Sequence, residues 1–155
     1  MQKKVSFIIP TRNSGKTIEM CLRSIYGQKY PKSKIEVIVV DGGSIDGTCE
    51  IAEKYGALVV KEKRNTVLPS PGSARNQGVN LSKGDYLFFL DGDCYIEPDY
   101  VNKLLDVLVR IEKCITGSNN IEPYDGNWVS VCWHLIYKWR SRLLRFRFIH
   151  SRALA

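Results

Sequence analysis

The sequence predicts an α/β domain built on a mainly parallel sheet with helices on both faces. Three observations lead there. The run Tyr86-Leu87-Phe88-Phe89-Leu90 is apolar throughout, as strands buried on both faces are. Val5-Ser6-Phe7-Ile8-Ile9 and Ile35-Glu36-Val37-Ile38-Val39-Val40 have nearly the same character. Between such runs, apolar residues recur at helical spacing, and strands alternating with helices imply βαβ units.

In order, residues 5–9 form the first strand, stopped by Pro10. Ile18, Cys21, Leu22 and Ile25 then mark one face of a helix. The second strand covers 35–40. Asp46 is a credible N-cap for a helix reaching about Tyr55, and Ala57–Lys61 reads as a third strand. Residues 64–72 are a polar loop containing Pro and Gly, and Pro71 suits the first turn of the next helix. Ala74, Gly78 and Leu81 give that helix a small-residue face. After the strand at 86–90, Pro98 opens a helix with Val101, Leu104, Leu105, Leu108 and Ile111 on one face. Cys114-Ile115-Thr116-Gly117 looks like another strand. Beyond residue 120, Trp128, Val131, Cys132, Leu135, Ile136, Trp139 and Leu143 keep helical spacing, and Arg145-Phe146-Arg147-Phe148 alternates as a strand does.

A chain of 155 residues makes one domain with a real core. No apolar stretch approaches the roughly 18 residues of a membrane span, and the opening Met1-Gln2-Lys3-Lys4-Val5 has no apolar signal region. The five cysteines are odd in number and form no C-x-x-C pair. Zinc and a disulfide framework are poorly supported, and reduced cysteines in a cytoplasmic protein are expected. The net charge of +7 is concentrated at one end: Lys138, Arg140, Arg142, Arg145, Arg147 and Arg152 follow the last acid, Asp125. The charge therefore characterises the tail rather than the domain.

Asp91-Gly92-Asp93 stands where the 86–90 strand ends, the position at which open α/β sheets bind ligands. Residues i and i+2 of an extended chain point the same way, and two adjacent carboxylates invite a divalent cation. A polar turn closing a strand is the bland alternative. Asp41, in Asp41-Gly42-Gly43-Ser44-Ile45-Asp46-Gly47-Thr48, also closes a strand, where a carboxylate can accept hydrogen bonds from a nucleobase or ribose. A tight turn capped by Asp46 explains Asp46 and Gly47 well, and Asp41 less well. Arg75 lies near the start of its helix, where a cation opposes the helix dipole unless an anion such as a diphosphate, or a surface acid, compensates it. Three rivals fail. Ser14-Gly15-Lys16-Thr17 resembles a P-loop end, but Pro10 replaces the required glycine. No G-x-G-x-x-G follows the first strand. An EF-hand would need an oxygen ligand near Tyr95 and glycine at Ile96.

Together these segments resemble the nucleotide-binding half of the GT-A glycosyltransferases of family 2. The matching stretches are Val5 to Asn13, Val39 to Thr48, Gly72 to Gly78 and Phe89 to Asp93, in the family's order and spacing, covering residues 5 to about 118. The resemblance implies that Pro10, Thr11 and Arg12 line a nucleotide pocket. Asp41 would meet the base with Ser44 beside it, and Arg75 the base or diphosphate. Asp91 and Gly92 would lie near ribose and sugar, and Asp93, with Asp91, would hold Mn²⁺ or Mg²⁺ on the diphosphate. It also implies inverting transfer of sugar from a nucleoside-diphosphate sugar to a hydroxyl acceptor, often lipid-linked. Family members usually continue further and carry a later acid that deprotonates the acceptor, and a Gln-x-x-Arg-Trp motif. Neither follows Asp125 here. Phe148-Ile149-His150-Ser151-Arg152 faintly resembles the segment before that acid, and His150 in a basic tail is more often a bystander than a base.

The expectation is thus a GT-A core over 1–120 and an incomplete acceptor-side segment over 121–155, truncated at the C-terminus, with no catalytic residue assigned. A non-catalytic nucleotide-sugar-binding or regulatory module is the alternative. The tail interleaves Arg with Trp and Phe. That favours an anionic membrane surface on the cytoplasmic side, or a second copy covering its apolar side, over nucleic acid.

Overall fold

The computed structural model describes residues 2–63 and 71–110, and short strands within 115–149. Its elements are β1 (Val5–Thr11), α1 (Ile18–Tyr26), a 3₁₀ turn (Lys32–Lys34), β2 (Ile35–Asp41), α2 (Thr48–Lys54), β3 (Leu58–Lys61), α3 (Pro71–Leu81), β4 (Tyr86–Phe89) and α4 (Tyr100–Arg110). The later strands are β5 (Ile115–Thr116), β6 (Pro123–Tyr124), β7 (Asn127–Trp128), β8 (Leu135–Lys138) and β9 (Phe148–Ile149). The main sheet runs β3-β2-β1-β4-β8-β5-β9. Pairing is parallel from β3 through β4, with Phe7 opposite both Val37 and Phe88.

Strand alternation sorts the core into two layers. Val5, Phe7 and Ile9 of β1 and Val37 and Val39 of β2 join one cluster with Ile18, Cys21, Leu22 and Ile25 of α1, Ala52 of α2 and Val101, Leu104, Leu105 and Leu108 of α4. Phe7 and Phe88 meet there with ring centroids 4.9 Å apart. Ile38 and Val40 face the other way, against Ala74 of α3. Helices therefore cover both faces, as expected, with α3 alone on its side among the described helices.

Each helix end has a local cause. Gly56, at φ 80°, ends α2: its N–H reaches Glu53 O at 2.9 Å, and Ala57 N reaches Ala52 O at 3.2 Å. That pair of bonds is the Schellman arrangement, which favours glycine. Pro71 is the first residue of α3, as its missing N–H allows. Helix α4 starts at Tyr100, two residues after Pro98, and its Val101 N–H donates to Gln28 Oε1 at 3.1 Å. At the opposite end of the sheet from the Asp-Gly-Asp turn, Glu36 accepts from Ser6 Oγ at 2.5 Å and Lys83 N at 2.8 Å. Burial alone would raise the Glu36 pKa, but these bonds and Lys4 outweigh it and hold it below its ordinary value.

Four expectations need correction. Pro10 does not stop the first strand: β1 runs on to Thr11, with Pro10 opposite Val40 and Thr11 opposite Asp41, and the missing N–H falls on the side where pairing with β4 has already ended at Phe89. Helical spacing over 128–143 does not give a helix at 135–138: β8 pairs antiparallel with β4, placing Leu135 opposite Phe89 and Lys138 opposite Tyr86. A free strand edge outweighs the 3.6-residue pattern, since periodicity in a short apolar run cannot tell a helix from a buried strand. Helix α2 is capped one residue later than expected, at Gly47 in the left-handed region, although Asp46 Oδ1 still accepts from Thr48 N at 3.3 Å. The cysteines are not all reduced: Cys21 and Cys49 are free, but Cys94 is disulfide-bonded. Sequence spacing does not reveal which thiols the fold brings together. The 64–70 part of the expected loop, the outer residues of the 114–117 strand, the alternation at 145–147, and His150 lie outside the described residues.

Candidate functional site

The parallel strands deliver their following loops to one edge of the sheet. A cleft of about 870 Å³ opens there, lined by residues from the ends of β1, β2, β3 and β4 and from the start of α3. Pro10, Thr11 and Arg12 come from β1 and the turn after it, Gly42 follows β2, Glu62 follows β3, and Asp91, Gly92 and Asp93 follow β4.

The loops after β1 and β2 are stitched together. Asn13, at φ 53°, donates its N–H to Ser44 Oγ at 2.8 Å, and its Oδ1 accepts from Ile45 N at 3.1 Å. Gly15 N reaches Asp46 Oδ2 at 2.8 Å, Ser14 N reaches Thr48 Oγ1 at 2.9 Å, and Gly42 N reaches Thr11 O at 2.8 Å. The side-chain bond from Thr48 comes first among the contacts that lower the Asp46 pKa, followed by the Gly15 N–H. The loop after β4 is tied to α1 and the turn that follows it instead, with Ile96 N on Ser24 Oγ at 3.1 Å and Lys29 N on Pro98 O at 2.7 Å.

Of the expected site residues, Pro10, Thr11, Arg12, Arg75, Asp91, Gly92 and Asp93 share the cleft. Arg75 Nη2 lies 2.7 Å from Asp91 Oδ1, so the acid that compensates this cation belongs to the cleft itself. Asp41 and Ser44 do not line the cleft. Asp41 is 2 % exposed, and its carboxylate accepts from Gly43 N and Ser44 N, each at 2.9 Å, and from Ser44 Oγ. Burial would raise its pKa, but the Ser44 and Gly43 bonds outweigh it and hold it below the ordinary carboxylate value. Beneath the β4 turn, burial first, then Asp93 and Asp91, pushes the Cys21 thiol far up, which keeps it neutral. Gly92 is required by space: a Cβ there would stand 2.9 Å from Thr11 Cγ2 and 3.2 Å from Ser14 Oγ.

Lys16, Asp46 and Glu62 also line the cleft, and sequence reasoning assigns none of them to it. Glu62 directly follows a strand end, the same positional signal that singles out Asp41 and Asp91.

Comparison with known proteins agrees with this geometry. The family model described as glycosyl transferase family 2 matches residues 6–153. Glycosyltransferase AglE of Haloferax volcanii is 44% identical over 122 residues, covering 74% of this chain and 38% of AglE. The crystal structure of Staphylococcus aureus TarS 1-349 in complex with UDP-GlcNAc superposes with TM-score 0.66 at 30% identity, over 82% of this chain and 37% of that one. Glucosyl-3-phosphoglycerate synthase from Mycobacterium tuberculosis, crystallised with Mn²⁺, UDP and glucosyl-3-phosphoglycerate, superposes with TM-score 0.62 at 29% identity, over 74% of this chain and 43% of that one. The chain thus spans less than half the length of each of these relatives, and its fold is the GT-A arrangement of the two solved structures.

Proposed function

Because the chain belongs to glycosyl transferase family 2, we propose that its cleft binds a nucleoside-diphosphate sugar and serves transfer of the sugar to an acceptor hydroxyl. One observation carries this reading. Thr11 Oγ1 and Arg75 Nε are buried without a hydrogen-bond partner among the described residues, and both residues line the cleft that holds Asp91 and Asp93. Unsatisfied buried polar atoms are rare, and a polar ligand accounts for them. Arg75 presents a guanidinium suited to phosphate oxygens, and Thr11 a hydroxyl suited to a ribose or phosphate oxygen.

A divalent cation, Mn²⁺ or Mg²⁺, fits this donor set. Among the described residues no group of three or more His, Cys, Asp and Glu could hold an ion. Hard cations are often held by one or two carboxylates plus substrate phosphates and water, and Asp93 with Asp91 would supply those carboxylates. When bound, the cation neutralises charge developing on the leaving diphosphate. Arg75 orients Asp91 and adds positive charge beside the same oxygens. No acid follows Asp125, so no residue of this chain is assigned as the base for the acceptor hydroxyl. A donor-binding module without turnover of its own is the alternative reading.

Calorimetry with nucleoside diphosphates and their sugars, with and without Mn²⁺, tests the donor site. Binding that needs Mn²⁺ and disappears in Asp93→Ala is expected; metal-independent binding unchanged in that variant would overturn the metal assignment. Measuring sugar transfer beside donor binding separates enzyme from module. The basic aromatic tail extends the proposal to place and acceptor: attachment at the cytoplasmic face of an anionic membrane, near lipid-linked acceptors. Among the described residues no helix is long and apolar enough to cross a membrane. Co-sedimentation with anionic vesicles that weakens with salt supports attachment. No sedimentation at low salt refutes it, and a concentration-dependent dimer would point to a second copy instead.

A further inference from the structure

Resting on the donor-site reading, we infer that Glu62, rather than Asp41, is the carboxylate that reads the nucleobase, and that it selects a base with a ring N–H. Asp41 is spent on its own loop, since Gly43 and Ser44 occupy both its oxygens and it is 2 % exposed. Glu62 is placed otherwise. Its backbone N–H continues the β2–β3 ladder by donating to Asp41 O at 2.8 Å. Its side chain lines the cleft and makes no hydrogen bond or ion pair among the described residues.

The surroundings of Gly42 show where that carboxylate stands. A Cβ on Gly42 would meet Thr11 O at 3.3 Å, Arg12 Cβ at 3.5 Å and Glu62 Oε2 at 3.6 Å. Gly42 is thus a floor with no side chain of its own, closely bordered by a backbone carbonyl, an Arg stem and a carboxylate. The Arg12 guanidinium, on a residue that also lines the cleft, makes no ion pair among the described residues and can stack on a flat base.

Distance places this floor at the base end. Glu62 follows β3 and Asp91 follows β4, and the order β3-β2-β1-β4 puts three strand spacings between them. At about 4.8 Å each, that is roughly 14 Å, a span suited to a nucleoside diphosphate laid across the strand ends. With the diphosphate at Arg75, Asp91 and Asp93, the base falls beside Gly42 and Glu62.

A carboxylate only accepts hydrogen bonds. Uracil N3–H and guanine N1–H donate one, whereas cytosine N3 and adenine N1 present lone pairs that repel it. Uracil and guanine nucleotides should therefore bind in preference to cytosine and adenine nucleotides. The test is calorimetry with UDP, GDP, CDP and ADP in the presence of Mn²⁺, repeated with the free nucleosides, on the parent protein, Glu62→Gln and Asp41→Asn. The expected result is that Glu62→Gln weakens UDP or GDP roughly five- to tenfold, because the amide oxygen still accepts the ring N–H but without the charge. It should weaken CDP less, because an amide matches the cytosine edge. The same change of ratio should appear with nucleosides, where no phosphate takes part. An unmoved UDP/CDP and GDP/CDP ratio in Glu62→Gln overturns the inference, as does a ratio that moves only in Asp41→Asn. If the parent protein binds none of the four diphosphates, the donor-site reading fails instead, and this inference fails with it.

Discussion

Replacing Gly78 by alanine tests how α3 holds Arg75 over the cleft. A Cβ at Gly78 would lie 2.3 Å from Ile8 Cγ2 and 3.3 Å from its Cγ1. Carbon atoms rest about 3.5–4.0 Å apart, so the overlap exceeds roughly 1 Å. Ile8 cannot easily yield. It is 0% exposed, β-branched, and pinned in a central strand opposite Ile38 and Phe89. Helix α3 must therefore lift. Overpacking of this kind costs about 2–3 kcal/mol, and alanine's helix preference over glycine returns about 1, leaving a net loss of about 1–2 kcal/mol. For a domain of this size that is a fall in Tm of roughly 2–8 °C, read by thermal or urea unfolding. Arg75 lies one turn before Gly78, so the lift should also lengthen its 2.7 Å contact with Asp91 and weaken diphosphate binding. An unchanged or raised Tm would show that helix preference dominates and that α3 is not seated on Ile8 as described.

Three other outcomes are expected of the same structure. Asp41 and Glu36 have folded pKa values below their ordinary ones, so the stability they contribute is present above the unfolded values of about 3.9 and 4.3 and is lost as pH falls through the folded values. Urea midpoints should hold from neutrality to about pH 5 and then drop, with a shallower acid drop in Asp41→Asn; an equal drop in both proteins would remove Asp41 from the account. Gly56→Ala forces a side chain into φ 80° and should lose about 1–2 kcal/mol by urea unfolding, where no loss would contradict the left-handed turn. Arg75→Gln should weaken a nucleoside diphosphate roughly tenfold or more in calorimetry while sparing the nucleoside, and equal loss of both would move Arg75 away from the phosphates.

The parallel half of the sheet is legible in the sequence because its signals are local and physical. Apolar runs set the strands, Pro71 opens α3, and Ile18, Cys21, Leu22 and Ile25 declare one buried face, whereas Pro10 stands inside β1 rather than ending it. All four of these helix residues are 0% exposed. The chain after α4 is less legible. Leu135 and Ile136 fit a helical repeat as well as a strand, and only the open edge of β4 decides between them. Nothing within 128–143 encodes that edge, because it is a tertiary fact. The disulfide at Cys94 is hidden for the same reason.

The candidate site divides along a similar line. A carboxylate at the end of a buried strand is the sequence signal that singles out Asp41, Asp91 and Asp93, and the structure places Asp91 and Asp93 on the cleft. The signal cannot say which way a side chain turns after its strand ends. Asp41 obeys the rule yet folds back onto Gly43 and Ser44, because a glycine pair lets the loop curl within reach of its oxygens. Glu62 obeys the same rule at β3 but stands out less, because its strand is short and bordered by charged residues. The parallel register aligns Thr11 with Asp41 and Asp41 with Lys61, so the next residue after β3 rises just above Asp41 at the cleft. With the Asp41 carboxylate turned inward, the neighbouring strand carries the carboxylate that faces the open space. The short β3 thereby places at the cleft a carboxylate that the Asp-Gly-Gly-Ser loop keeps for itself.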